Sequence, residues 1–305
     1  CMSEMIHQVD DSMTIAQVRS ACRKKSAQTK TPEDETVATA AEKRMRQDEN
    51  QILEPFTLMA HKPNYILLAA YNSYGYNPDL FQEQFDDPSI QIKDTETQFQ
   101  LSMKFPLAVN LFNTVDIYAA YTNRSFWQVY NSEISAPFRE TNHEPEAWLQ
   151  INSDWEILGV KNFANQFGIV HQSNGRGGVL SRSWNRVYAN LLFERNNFVL
   201  GLKPWIRISE DAEDDDNPDI TDYLGHYDLR GIYQWNDHVF SLMSRNNLES
   251  GFSKGALEIG WSFPLGKYPY LKGYLQYFSG YGESLIDYDN YVNRIGIGLA
   301  LTDWL

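Results

Sequence analysis

The 305-residue sequence has no run of about 18 consecutive apolar residues, the length a helix needs to span a bilayer, so no transmembrane helix is expected. It has only two cysteines, Cys1 and Cys22. A disulfide framework is therefore excluded for most of the chain. In the N-terminal segment a Cys1–Cys22 bridge and two free thiols both stay open. Positive charge is scarce. With 26 Lys and Arg against 40 Asp and Glu, the net charge of -14 argues against nucleic acid as a partner. Residues 1–50 are polar and lack the apolar stretch of a secretory signal.

Aromatic residues, in contrast, are plentiful. They make up 14% of the chain, with 18 Tyr and 8 Trp, an excess that suits the interfacial girdles of a membrane barrel and is shared by lectin-like and sandwich proteins. Residues 1–52 mix both charges, contain few aromatics and carry a helix-start signal at Thr31-Pro32-Glu33-Asp34. They read as a short polar, partly helical N-terminal extension on the water side.

From about residue 53 to Leu305 the texture alternates. Phe99, Leu101, Met103 and Phe105 interleave with Gln98, Gln100, Ser102 and Lys104. Leu257, Ile259, Trp261 and Phe263 interleave with Ala256, Glu258, Gly260 and Ser262, and Ile295, Ile297, Leu299 and Leu301 with Arg294, Gly296, Gly298 and Ala300. Period two over segments of about ten residues, broken by turn residues, is the mark of an all-β transmembrane barrel. Twelve segments start near residues 58, 95, 115, 146, 162, 183, 197, 223, 238, 255, 269 and 291. Short connections at Asn196-Asn197, Asn236-Asp237 and Gly266-Lys267 alternate with long ones at 73–92, 131–144, 211–222, 248–254 and 280–290. Bacterial barrels place short turns on the periplasmic side and long loops outside. The expected fold is thus a twelve-stranded antiparallel β-barrel of the outer membrane.

The fifth segment carries the chemistry. Side chains two apart on a strand share a face, so His171 and Ser173 lie on the face of Phe163, Phe167 and Ile169. The next strand, Ser183 to Glu194, puts Asn185 on the apolar face of Val187, Ala189, Leu191 and Phe193. If these strands form a hairpin, Ser173, His171 and Asn185 converge as a hydroxyl nucleophile, a general base and an amide that orients the base. A neutral orienting group suits a site beside lipid, where a bare carboxylate is costly to desolvate. The strand feeds a loop of the long class, so the site is expected on the outside wall at the outer rim, facing the outer leaflet. A lone His-x-Ser carries little weight; Asn185 arriving on the same face is what raises it. Trp127 and Tyr121 read as girdle or dimer contacts, and His7, His61, His143, His226 and His238 show no ligand spacing and receive no role.

The run His171-Gln172-Ser173-Asn174-Gly175-Arg176 with Ser181-Arg182-Ser183-Trp184-Asn185-Arg186 resembles the outer membrane phospholipase A family of Gram-negative bacteria. Further blocks agree: Pro137 to Asn142, Lys203-Pro204-Trp205, Asp216 to Thr221 and Ser279 to Tyr288. The resemblance implies a calcium-dependent hydrolase of acyl esters in glycerophospholipids and lysophospholipids, active as a homodimer. It implies Ser173 as nucleophile, His171 as base, Asn185 as its partner and the Gly175 amide at the oxyanion. The implied calcium ligands are the Ser181 hydroxyl, the Arg176 carbonyl and the carbonyl of the partner subunit's Ser135. Gly178 stands where the family pattern has an acidic residue, which leaves Asp216 as the remaining candidate for a second calcium site. Leu305 replaces a terminal aromatic. Two other readings of the barrel are a non-catalytic, porin-like channel and a lipid A deacylase.

Overall fold

The structure is a computed structural model and describes residues 38–52, 58–112, 114–135, 137–266 and 268–305. Cys1, Cys22 and the Thr31 to Asp34 signal lie outside the described residues. The chain divides before Leu58. On the N-terminal side helix α1 spans Ala40–Ile52. The Thr39 hydroxyl accepts from the Glu42 amide at 3.1 Å, and the Glu42 carboxylate accepts from the Thr39 amide at 3.2 Å. This reciprocal capping box satisfies amide donors that the first helical turn leaves free.

From Leu58 onward one antiparallel sheet runs through the chain. Its strands are β1 (Met59–Ala60), β2 (Asn64–Asn72), β3 (Thr95–Leu111), β4 (Val115–Trp127), β5 (Phe138–Asn152), β6 (Glu156–Ile157) and β7 (Val160–Ser173). They continue as β8 (Ser183–Arg195), β9 (Phe198–Ile208), β10 (Tyr227–Trp235), β11 (His238–Asn246), β12 (Gly255–Leu265), β13 (Tyr268–Gly280) and β14 (Val292–Thr302). β1 and β6 are two-residue pairings; the other twelve close into a barrel, with β14 on β2 and β3 on β4. Helices α2 (Asp79–Phe85) and α3 (Ile220–Leu224) interrupt two of the long loops.

The expected alternation holds on the wall. Leu101, Ile259, Ile295 and Ile297 are exposed, while Ser102, Gly260, Arg294 and Gly296 are buried. Apolar side chains outside and polar ones inside is the arrangement of a barrel whose solvent is hydrocarbon. The interior is filled with charge paired to charge. The Arg139 guanidinium grips Glu96 with Nε at 2.9 Å and Nη2 at 2.8 Å and also binds Asp287, while Arg294 binds Glu283 and reaches Gln276 at 2.6 Å. A fork of this kind is the geometry in which a buried arginine is best satisfied.

The closing seam leaves no room for a side chain at one glycine. At Gly298 a Cβ would stand 1.8 Å from the Ile66 carbonyl oxygen on the β14–β2 seam, where the register shifts. Gly298→Val is expected to destabilise the barrel by about 3 kcal/mol, the upper range for overpacking. A urea unfolding midpoint unchanged from wild type would contradict this.

Three expectations are corrected. The fourth long strand starts at Phe138, not near 146, because Arg139, Glu140 and Asn142 are buried strand residues facing the polar interior rather than a solvated loop. The first long strand starts at Asn64, since Pro63, which has no N–H for the ladder, separates it from the Met59–Ala60 pairing. Phe163 is buried and sits at a register shift in β7, so it does not extend the exposed stripe of Phe167 and Ile169.

Candidate active site

β7 and β8 pair as a hairpin with His171 opposite Asn185 and Ser173 opposite Ser183. Packing on the inner face holds this register. Trp184, fully buried, donates from Nε1 to Gln172 at 2.9 Å, and the Arg186 guanidinium lies 3.9 Å over its ring. With the even-numbered side chains locked inside, the odd-numbered ones project outward. Ile169 and Val187 are exposed there, and His171 is exposed beside them.

On that wall His171 Nδ1 and Asn185 Oδ1 are 2.8 Å apart. An amide oxygen can only accept, so this contact puts the proton on Nδ1 and leaves Nε2 as the basic nitrogen. Ser173 leaves the same face two residues on, about 6.6 Å along the strand. Among the described residues no hydrogen bond joins the Ser173 hydroxyl to the imidazole. Such catalytic contacts are commonly long before substrate arrives and tighten in the complex.

The loop 174–182 is built around Asn174. Its Oδ1 accepts from the Arg176 and Arg182 amides at 3.2 and 3.1 Å, and its Nδ2 donates to the Leu180 carbonyl at 2.7 Å. One buried side chain thereby ties both ends of the loop. Gly175 adopts φ 64°, the left-handed turn that opens this loop directly after Ser173 and Asn174. Leu180 packs with Phe81 of α2 and with Ile286, anchoring the loop from above. Gly178, where the resemblance implied an acidic residue, has φ 65°, the left-handed conformation that favours glycine.

Of the residues implied as calcium ligands, Arg176 and Ser181 lie on this loop. The Arg176 guanidinium is drawn away, donating to the Phe138 and Arg139 carbonyls at 2.9 Å each and facing Glu140 at 3.4 Å. Its backbone carbonyl and the Ser181 hydroxyl are hard oxygen donors of the kind calcium takes. Ser135 is exposed, with φ 59°, directly after the short turn Ser132–Ile134. Asp216 is exposed, and among the described residues no three His, Cys, Asp or Glu side chains form a metal-holding group. The neighbouring Asp215 is engaged by Arg207 at 2.6 Å, and buried Asn217 accepts from the Ser183 amide at 3.0 Å. That last contact ties the acidic loop to the start of β8.

Two residues with no assigned role stand at the site. His143 is the register partner of Ser173; its Nδ1 is 2.6 Å from the Tyr121 hydroxyl, and its Nε2 is 3.9 Å from where a Gly175 Cβ would be. Glu210 accepts from Asn185 Nδ2 at 2.8 Å. His143 becomes visible from sequence only once β5 is extended to Phe138, which brings it into line with Ser173. Glu210 follows Ile206 and Ile208 on one parity, a signal lost in the acidic run after it.

Fold and site together define a closed, twelve-stranded outer membrane barrel with an imidazole, a hydroxyl and an amide on its outside wall. The sequence model for phospholipase A1 matches residues 41–301, and the chain belongs to that family. It is 40% identical to the phospholipase A1 of Escherichia coli K12 over 82% of this chain and 83% of that protein. Identity to the Klebsiella pneumoniae phospholipase A1 is 39%, covering 82% and 84%. Among solved structures it resembles outer membrane phospholipase A from E. coli, with a TM-score of 0.73 and 36% identity over 82% of this chain and all (100%) of that one. It also resembles the Salmonella typhi outer membrane phospholipase dimer with bound calcium, with a TM-score of 0.74 and 36% identity over 84% and 96%. The protein is an outer membrane phospholipase.

Proposed function

We propose that this phospholipase cleaves acyl esters of glycerophospholipids and lysophospholipids by a Ser173–His171–Asn185 triad, with calcium and as a homodimer. The observation that carries the reading is the 2.8 Å His171–Asn185 contact on the outer wall beside the exposed Ile169 and Val187. Asn185 holds the imidazole so that Nε2 removes the Ser173 proton as the hydroxyl attacks the ester carbonyl. The protonated imidazole then returns that proton to the departing glycerol oxygen, leaving an acyl-serine. Water, deprotonated by the same nitrogen, releases the fatty acid and restores Ser173. The Gly175 amide donates to the carbonyl oxygen as negative charge develops, the point at which preorganised donors contribute most.

The Ser181 hydroxyl and the Arg176 carbonyl are proposed to hold calcium together with the carbonyl of the partner subunit's Ser135. When bound, the ion supplies positive charge beside the oxyanion and a link between subunits. The calcium-bound dimer of the Salmonella relative supports both parts. A second copy over this wall would cover the acyl chain, and the site's position supports an active face toward the outer leaflet. The filled interior, with Gln98, Arg139 and Arg294 essentially inaccessible, favours an enzyme over a wide aqueous channel.

The test is product analysis on thin layers with phospholipid vesicles, with and without calcium. Free fatty acid and lysophospholipid are expected only with calcium. Deacylated lipid A as the preferred product would favour a lipid A deacylase, and bilayer conductance without acyl release would favour the channel.

A further inference from the structure

We propose that Glu210 is a positioning residue for the reaction, holding Asn185 in the one orientation that serves His171; this rests on the triad reading above. An asparagine end-group has an oxygen at one corner and an NH2 at the other, and a half-turn about χ2 exchanges them. With NH2 toward His171, Asn185 would demand the other imidazole tautomer, and the nitrogen facing Ser173 would carry a proton instead of taking one. A neutral partner chooses poorly between these states, because the energies of the two flips are similar when both corners face groups that can donate or accept.

A carboxylate removes the ambiguity, since it only accepts. Glu210 Oε1 accepts a hydrogen bond from Asn185 Nδ2 at 2.8 Å, so Oδ1 is turned to His171 Nδ1, also at 2.8 Å. The backbone dictates the placement. Asn185 pairs in register with Ile208, the last residue of β9, and Glu210 lies two residues further on the same parity as the exposed Ile206 and Ile208. Ile206 and Ile208 face lipid, whereas Glu210 has passed the end of the strand, where the loop 209–219 begins. The charge that would be costly within the hydrocarbon is therefore held one residue-pair above it and reaches the imidazole only through the neutral amide. Hydrogen bonds in such a chain polarise one another, so the carboxylate also strengthens Oδ1 as an acceptor.

The test uses the full chain in detergent with calcium and compares Glu210→Ala and Glu210→Gln in wild-type and Asn185→Ala backgrounds. Glu210→Ala is expected to lower kcat about tenfold, the scale of losing one charge-assisted hydrogen bond, with KM within about twofold. Glu210→Gln keeps an oxygen that accepts from Nδ2 but adds an NH2 that lets the Asn185 amide turn over, so its kcat is expected to fall between those of Glu210→Ala and wild type. In the Asn185→Ala background, Glu210→Ala is expected to have no further effect, because Glu210 acts through that amide. Additive losses, wild-type kcat in Glu210→Ala, or wild-type kcat in Glu210→Gln would each overturn the proposal. Circular dichroism of each refolded variant separates these outcomes from loss of the barrel. Ser173→Ala run alongside distinguishes the two readings: turnover in that variant removes the triad itself, while an inactive Ser173→Ala beside an unimpaired Glu210→Ala removes only Glu210.

Discussion

Ser173→Ala is expected to lower acyl release by about 10,000-fold or more while leaving the barrel folded. The loss is large because no step of the proposed reaction survives without that oxygen: His171 has no proton to take and no acyl-enzyme forms. The folded state should be indifferent to it. Ser173 ends β7, its hydroxyl takes no part in the inner packing of Gln172, Trp184 and Arg186, and its backbone pairing with Ser183 and His143 does not depend on the side chain. Acyl release from a phospholipid in detergent with calcium, measured beside the circular dichroism of the refolded variant, checks both halves. Retained turnover would take Ser173 out of its role.

Chelation is the second large effect. Adding EDTA is expected to reduce hydrolysis at least ~100-fold, the scale of losing an oxyanion-stabilising group, and added calcium should restore it. The loop need not collapse when the ion leaves. Asn174 closes it by three backbone contacts, and Arg182 Nη1 donates to the Val179 and Ser181 carbonyls at 3.1 and 2.5 Å. Dichroism should therefore stay unchanged in EDTA. Magnesium should rescue poorly, because a loop offering a hydroxyl and carbonyls does not supply the strict octahedron that the smaller ion demands. Undiminished activity in EDTA would discard the metal.

Where sequence reading failed, the cause was an inverted solvent. Arg139, Glu140, Asn142 and Glu144 look like a water-facing loop if the polar side of a strand is taken to mean bulk solvent. In this barrel they are interior groups; Arg139 meets Glu96 from β3 and Asp287 from a distant loop. No local pattern announces partners 43 and 148 residues away. The same error hid His143, whose place beside Ser173 exists only once β5 runs back to Phe138. Glu210 was hidden differently, as the first acid of a run in which Asp211, Glu213 and Asp214 are simply exposed. The Thr39/Glu42 capping box, by contrast, is local and legible in the Thr-x-x-Glu spacing.

By itself the sequence determined parity. Alternation is a property of each strand's own backbone, so it placed His171, Ser173 and Asn185 on the lipid-facing side, and its repetition made the number of long strands twelve. The tertiary structure decided what touches what across strands and loops: the closing seam at Gly298, the charge pairs that fill the interior, and the carboxylate behind Asn185. These depend on register and on loop paths, which are set by packing between segments far apart in the chain rather than by the period within any one of them.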